Sequence, residues 1–275
     1  MLIKIALMAE TLGYIGALFI GIVLGITGGG GSILTVTILV YILNYNPLIA
    51  SAYSLFIVGT TSGFGTFQNF KKVLVYPKIA FQFAIPSILG VYITRKYIVT
   101  TIPITISNIG SFTLSKDTFL MLLFAIVMIL ASYSMLKKQI NETSEENRTN
   151  RIWIIIQLFF VGILIGLIGA GGGFLIIPAL IKIANLTIKK AIGTSLFIIT
   201  LNSLIGFLGD VQNIIIDWSF LLKFTSLAVI GIFIGLYLQS FINDKVLKKI
   251  FGIFVLIMSL LIITKELFLK NYETR

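Results

Sequence analysis

Apolar runs separated by short polar stretches set the pattern of this chain. From Thr11 to Phe70 there is no Asp, Glu, Lys, Arg or His in 60 consecutive residues. A membrane-spanning helix needs about 20 apolar residues, so this stretch alone predicts two to three spans. The first half divides into five apolar segments: a, 11–27; b, 32–44; c, 48–67; d, 79–92; and e, 118–136. Segment b reaches only ~20 Å at ~1.5 Å per residue, short of a ~30 Å hydrocarbon core. It is either a re-entrant half-helix or a tilted, buried one. Pro47 suits a first helical position, and Pro86 inside d predicts a kink. Residues 95–116 read as a polar loop.

Segments a and b meet at Gly25-Ile26-Thr27-Gly28-Gly29-Gly30-Gly31-Ser32, and the motif recurs as Gly166-Leu167-Ile168-Gly169-Ala170-Gly171-Gly172-Gly173. An offset of 141 aligns 21–65 with 162–206 without a gap, and 17 of these 45 positions are identical. Leu and Ile matches between two greasy segments carry little weight. Gly28/Gly169, Gly30/Gly171, Asn44/Asn185, Ser54/Ser195, Ser62/Ser203 and Gly65/Gly206 in register carry much more. The chain is therefore read as an all-α polytopic membrane protein of two homologous repeats. Each repeat has about five helical segments, eight to ten in total, and internal repeats of this kind mark many transporters. Residues 1–136 form the first repeat, 137–151 a charged cytoplasmic linker, and 152–275 the second repeat.

Composition agrees: 57% of residues are hydrophobic and 11% charged, against about 25% charged in soluble domains. The net charge of +11 would suggest nucleic acid on a soluble chain. Here most cations sit in short loops between apolar runs, which is a topology signal. Between c and d the first half carries Lys71, Lys72 and Lys78, while the second carries Asp210 and Asp217. Between b and c the first half is uncharged, while the second carries Lys182, Lys189 and Lys190. Opposite bias in equivalent loops predicts inverted halves in the cell membrane, with an odd number of crossings each. Arg95 and Lys96 then fall on the wrong side. Trp153 and Trp218 stand at segment ends, as interfacial anchors do. The N-terminus does not read as a signal peptide: Lys4 is its one cation, and Glu10 interrupts it.

The chain has no cysteine and no histidine. That removes thiolate and histidine metal sites, Ser–His hydrolysis and histidine proton relays. No cofactor is implied, no ATP-binding motif is present, and dinucleotide binding fails because no strand precedes the glycines. A helix broken inside a membrane leaves peptide groups that need partners. A new helix starting there aims its first N–H groups and its positive dipole end at one spot, a ready anion site. Gly28, Gly29, Gly30, Gly31, Ser32, Gly169, Ala170, Gly171, Gly172 and Gly173 are therefore the candidate binding residues. Asn44, Ser54, Ser62, Asn185, Thr194, Ser195, Asn202 and Ser203 would finish the shell. No Arg or Lys lies in the expected core, so an arginine clamp is not expected. The competing reading is that the glycines only let helices pack closely. Asp210, where the first half has Asn69, reads first as an outer-loop acid, with proton coupling as the alternative.

The paired pattern Gly-x-x-x-Gly-x-x-Gly-x-Gly-Gly, at 21–31 and 162–172, resembles the TauE/SafE family of sulfite exporter-like proteins. So do Ala191-Ile192-Gly193-Thr194-Ser195-Leu196 and Pro178 after the second glycine run. The resemblance covers nearly the whole chain. It implies a permease, generally an exporter, for sulfite, organosulfonates or related anions, working in a lipid bilayer and not as an enzyme. Such families are described as duplicated four-span units, whereas the charges here favour five segments per half. Tyr53 stands where the second half has Thr194, and Thr37 where it has Pro178, which puts equal roles for the halves in question. The alternatives are an anion channel, a permease for another small organic anion, or a membrane-embedded enzyme or assembly factor. Protons are the candidate coupling ion.

Overall fold

The computed structural model describes residues 2–103, 105–109, 112–136, 151–169, 171–212 and 214–269. The first half runs α1 (Leu2–Thr27), α2 (Gly30–Tyr41), α3 (Pro47–Lys71), α4 (Pro77–Ile93), α5 (Val99–Thr101), β1 (Thr105–Ile109), β2 (Phe112–Ser115) and α6 (Lys116–Leu136). The second runs α7 (Arg151–Ile168), α8 (Gly173–Ile183), α9 (Ile188–Asp210), α10 (Trp218–Ser240) and α11 (Asp244–Thr264). Helices α3, α6, α9, α10 and α11 are long and apolar enough to cross a membrane. This is a polytopic helical membrane protein, with β1 and β2 forming one small antiparallel hairpin. The linker 137–150 lies outside the described residues.

Local chemistry fixes the helix ends. Asn46 accepts a hydrogen bond from the Leu48 amide (2.8 Å) while Pro47 opens α3. Asp217 caps α10 through the Phe220 amide (3.0 Å). Asn44 and Asn185, one after each short helix, have φ of 56° and 50°, a left-handed conformation that Asn tolerates better than most residues. Hydropathy ends segment d at residue 92, but the helix goes on. After α4 the backbone makes a π-turn over Thr94–Ile98 and then α5. The expected polar loop therefore begins as a helix that carries Thr94 and Arg95 inside the bundle.

The packing recurs under the 141-residue shift. A Cβ added to Gly21 would strike the Ala228 carbonyl of α10, and one added to Gly162 the Ser87 carbonyl of α4. Likewise Gly25 lies against Ile232 and Gly166 against Val91, while Gly231 lies against Leu18 and Gly90 against Phe159. So α1 packs parallel to α10, and α7 parallel to α4. Each close pair joins opposite halves, through the small residues that allow backbones to meet. The equivalent helices α3 and α9 run antiparallel: Gly59 faces Ser203 and Leu204, Gly63 faces Thr200, and Gly206 faces Leu55.

The same exchange holds for hydrogen bonds. The Tyr76 amide donates to Thr194 Oγ1 (3.2 Å), and the Asp217 amide to Tyr53 Oη (2.8 Å). Thr194 and Tyr53 therefore do one job in the two halves despite their different side chains: each secures the start of the other half's fourth segment. The first contact gathers Lys78, Lys189 and Lys190 at one end of the bundle, with Lys190 Nζ 5.0 Å from the Tyr76 ring centre and Lys189 paired to Asp244. The second contact places Asp217 at the opposite end, where Asn46 also bonds Asp117 (3.1 Å). Trp153 and Trp218, both exposed, begin α7 and α10.

Candidate functional site

Each glycine run breaks a helix. Helix α1 stops at Thr27, and α2 begins at Gly30 and turns back along it. A Cβ on Gly31 would meet Leu24, one on Gly16 Ile38, and one on Gly13 Leu43. Segments a and b thus form a helical hairpin. Gly28 and Gly169 hold equivalent φ of 71° and 70°, and Gly171 and Gly172 follow at 64° and 72°. L-residues pay ~1–2 kcal/mol for such left-handed backbone, which explains glycine here. Ala170 lies outside the described residues.

The two breaks touch. A Cβ on Gly29 would lie 2.5 Å from the Gly173 carbonyl carbon, and one on Gly173 would lie 2.9 Å from the Gly28 oxygen. The glycines therefore split into two groups. Gly21, Gly25, Gly162 and Gly166 serve close helix packing, whereas Gly28–Gly31 and Gly169–Gly173 shape the breaks and, through Gly28, Gly29 and Gly173, their meeting.

The breaks differ in how they are finished. Thr27 Oγ1 accepts from the Gly30 amide (2.9 Å) and donates to the Val23 carbonyl (2.7 Å), so the first break carries its own cap. Ile168 stands at the equivalent position in the second half and has no hydroxyl to accept such a bond. Ser32 Oγ donates to the Gly29 carbonyl (2.7 Å).

Several predicted shell residues do converge. Ser195 Oγ donates to the Ile192 carbonyl (2.8 Å) and lies 3.2 Å from the Gly28 carbonyl. Ser203 Oγ sits where a Cβ on Gly171 would meet it at 2.9 Å, and it has no hydrogen-bond partner among the described residues. The buried hydroxyls of Ser54, Thr61, Ser62 and Thr66 on α3 also lack partners among the described residues. Buried hydroxyls are normally satisfied, so this run of spare donors and acceptors along α3 is unusual. Other predicted residues do not join. Asn202 is occupied, its Nδ2 donating to Ser87 Oγ (2.9 Å). Thr194 caps α4, as described above. Asn44 and Asn185 are exposed turn residues at the far ends of α2 and α8.

Two expectations need correction. Asp210 is not an outer-loop acid: it is 5% exposed and pairs with Arg95, Nη1 to Oδ2, at 3.1 Å. And the core does hold a cation. Arg95 is 0% exposed, and its Nη1 also donates to Ser51 Oγ (3.0 Å). Its guanidinium rests against Gly169, where a Cβ would overlap Nη2. Only one sequence signal pointed to it: an arginine on the side of the membrane where the charge rule puts no cation. Lys96, beside it, turns outward over the rings of Tyr92 and Tyr97.

Comparison with known proteins follows the same lines. The family model described as "Sulfite exporter TauE/SafE" matches residues 14–262. A "Probable membrane transporter protein" of Xylella fastidiosa (strain 9a5c) is 29% identical over 254 residues, covering 90% of this chain and 92% of that one. A "Probable membrane transporter protein" of Methanocaldococcus jannaschii is 40% identical over 110 residues, 38% of this chain and 41% of its own. A third, from Bacillus subtilis, is 26% identical over 253 residues, 84% and 88% of the two chains. No solved structure matches the chain.

Proposed function

Since the chain belongs to the sulfite exporter TauE/SafE family and is a membrane transporter, we propose that it exports small sulfur-containing anions such as sulfite or organosulfonates, holding the anion where the two glycine breaks meet. The observation that carries this is the contact of Gly28 and Gly29 with Gly173, with the Ser203 hydroxyl against Gly171 at the second break. Two helix starts, α2 and α8, aim dipoles and amides into one region. Backbone amides add no full charge of their own, so an oxyanion that they help to hold can still leave.

The two repeats, 1–136 and 152–275, are inverted about the breaks, and the lysine-rich end faces the cytoplasm by the positive-inside rule. Antiparallel α3 and α9 support this, as does the gathering of Lys78, Lys189 and Lys190 at one end. In such a fold, access alternates by rocking of helices around a central site. Energy comes from an ion gradient, with protons as the coupling ion and Asp210 as the group that takes them up.

The test is flux of sulfite, taurine, sulfoacetate, thiosulfate and sulfate into proteoliposomes. Saturable uptake that responds to an imposed proton gradient is expected, and Gly171→Leu abolishes it. Steady conductance without saturation would make the protein a channel. No flux of any of these anions would remove the substrate class proposed.

A further inference from the structure

Arg95 has more hydrogen-bonding capacity than its protein partners use. Nη1 faces Asp210 and Ser51, while Nε and Nη2 have no partner among the described residues. In a guanidinium the Nε–H and one Nη2–H point the same way. Together they form the side-on fork that grips two oxygens of one oxyanion. Here that edge is the unused one, and Nη2 lies against Gly169 at the second break. A fully buried guanidinium with two donors unmade is costly.

We propose that Arg95 binds the transported oxyanion side-on through Nε and Nη2 at the second break, with Asp210 on Nη1 as the counter-charge that orients the guanidinium and keeps affinity low enough for release. This rests on the anion-transport reading above and names its binding group. The ligand must present two oxygens on one atom: sulfite and sulfonates fit, a carboxylate fits the same fork, and chloride does not. The site is single. Under the 141-residue shift the position equivalent to Arg95 is Leu236 and that equivalent to Asp210 is Asn69, and Asn69 Nδ2 donates to the Gly65 carbonyl of its own helix (3.0 Å). The first break, already capped by Thr27, contributes backbone and shape. Ser51 is a positioning residue, holding Nη1 from the start of α3. The π-turn at Thr94–Ile98 sets where Arg95 leaves its helix, and such turns recur at functional sites.

The experiment uses the full chain in nanodiscs, with sulfite binding by calorimetry, and in proteoliposomes, with sulfite uptake. Arg95→Lys keeps the charge and loses the fork, so sulfite binding weakens tenfold or more and KM rises alike. Asp210→Asn removes the counter-charge, so sulfite binds more tightly and turnover slows. On the wild type, acetate competes with sulfite and equimolar chloride does not. Sulfite affinity within twofold of wild type in Arg95→Lys overturns the proposal, as does weaker binding in Asp210→Asn or equal competition by chloride. Should Arg95→Lys not fold, Asp210→Asn and the competition decide. A wild type that neither binds nor moves any anion sinks the transport reading itself, whereas intact transport with an unchanged KM in Arg95→Lys sinks only the arginine site.

Discussion

Replacing Gly173 by Ala pushes the two breaks apart while asking nothing unusual of the backbone. The residue opens α8 and, unlike Gly171 and Gly172, has no positive φ. Its new methyl would overlap the Gly29 Cα and lie 2.9 Å from the Gly28 oxygen and 2.7 Å from Ile199 Cδ1. Carbon atoms settle at ~3.5–4.0 Å, so the breaks must part by about 1 Å. Overpacking of this kind costs ~1–3 kcal/mol, and backbone neighbours put it toward the upper end. If one anion is held by both breaks, the shift breaks at least one bond to it. A hydrogen bond to a charged group contributes ~1.5–3 kcal/mol, and every ~1.4 kcal/mol is tenfold in affinity. KM for sulfite should therefore rise about tenfold to a hundredfold. Gly63→Ala is the control, because its methyl would meet only Thr200, at 3.5 Å or more. The assay is initial-rate sulfite uptake into proteoliposomes carrying equal amounts of folded protein. A KM for Gly173→Ala equal to that of Gly63→Ala would refute a site shared between the breaks.

Two further outcomes follow from the geometry. Asn185→Gly leaves thermal stability and sulfite KM near wild type, whereas Asn185→Val lowers stability by ~1–2 kcal/mol, the cost of a left-handed bulky residue; a raised KM in Asn185→Gly would restore the side chain to the binding shell. The chain has no cysteine, so Lys78→Cys and Ile215→Cys can be labelled singly with a membrane-impermeant maleimide. Ile215→Cys should label in intact cells and Lys78→Cys only after permeabilisation, and labelling of both from one side would contradict the inverted arrangement.

Much of this was legible in the residues because glycine leaves a mark that hydropathy does not. The register of Gly21, Gly25, Gly28, Gly30 and Gly31 with its second copy anticipated both the helix packing and the breaks, since each needs a missing Cβ. The charge bias of the loops anticipated which connections share an end. Polar repeats were less informative. Asn44 and Asn185 recur because a turn needs left-handed backbone, and that requirement looks the same in a sequence as a need for an amide side chain. Tyr53 and Thr194 hid the opposite way, unlike residues reaching equivalent amides. Arg95 was lost because hydropathy ends a helix where charge begins. Its burial depends on Asp210, Ser51 and Gly169, which lie 115, 44 and 74 positions away in the sequence and meet only when three helices and a break assemble.

The partnership of α1 with α10, and of α7 with α4, bears on how the molecule can move. Backbones locked together at Gly21, Gly231, Gly90 and Gly162 cannot slide freely past each other, so each such couple travels as one piece. The mechanical bodies therefore cut across the two halves of the chain: every body that shifts takes one helix from each half. Exposure of the interior must then come from play between couples, and neither half is built to open or shut without the other.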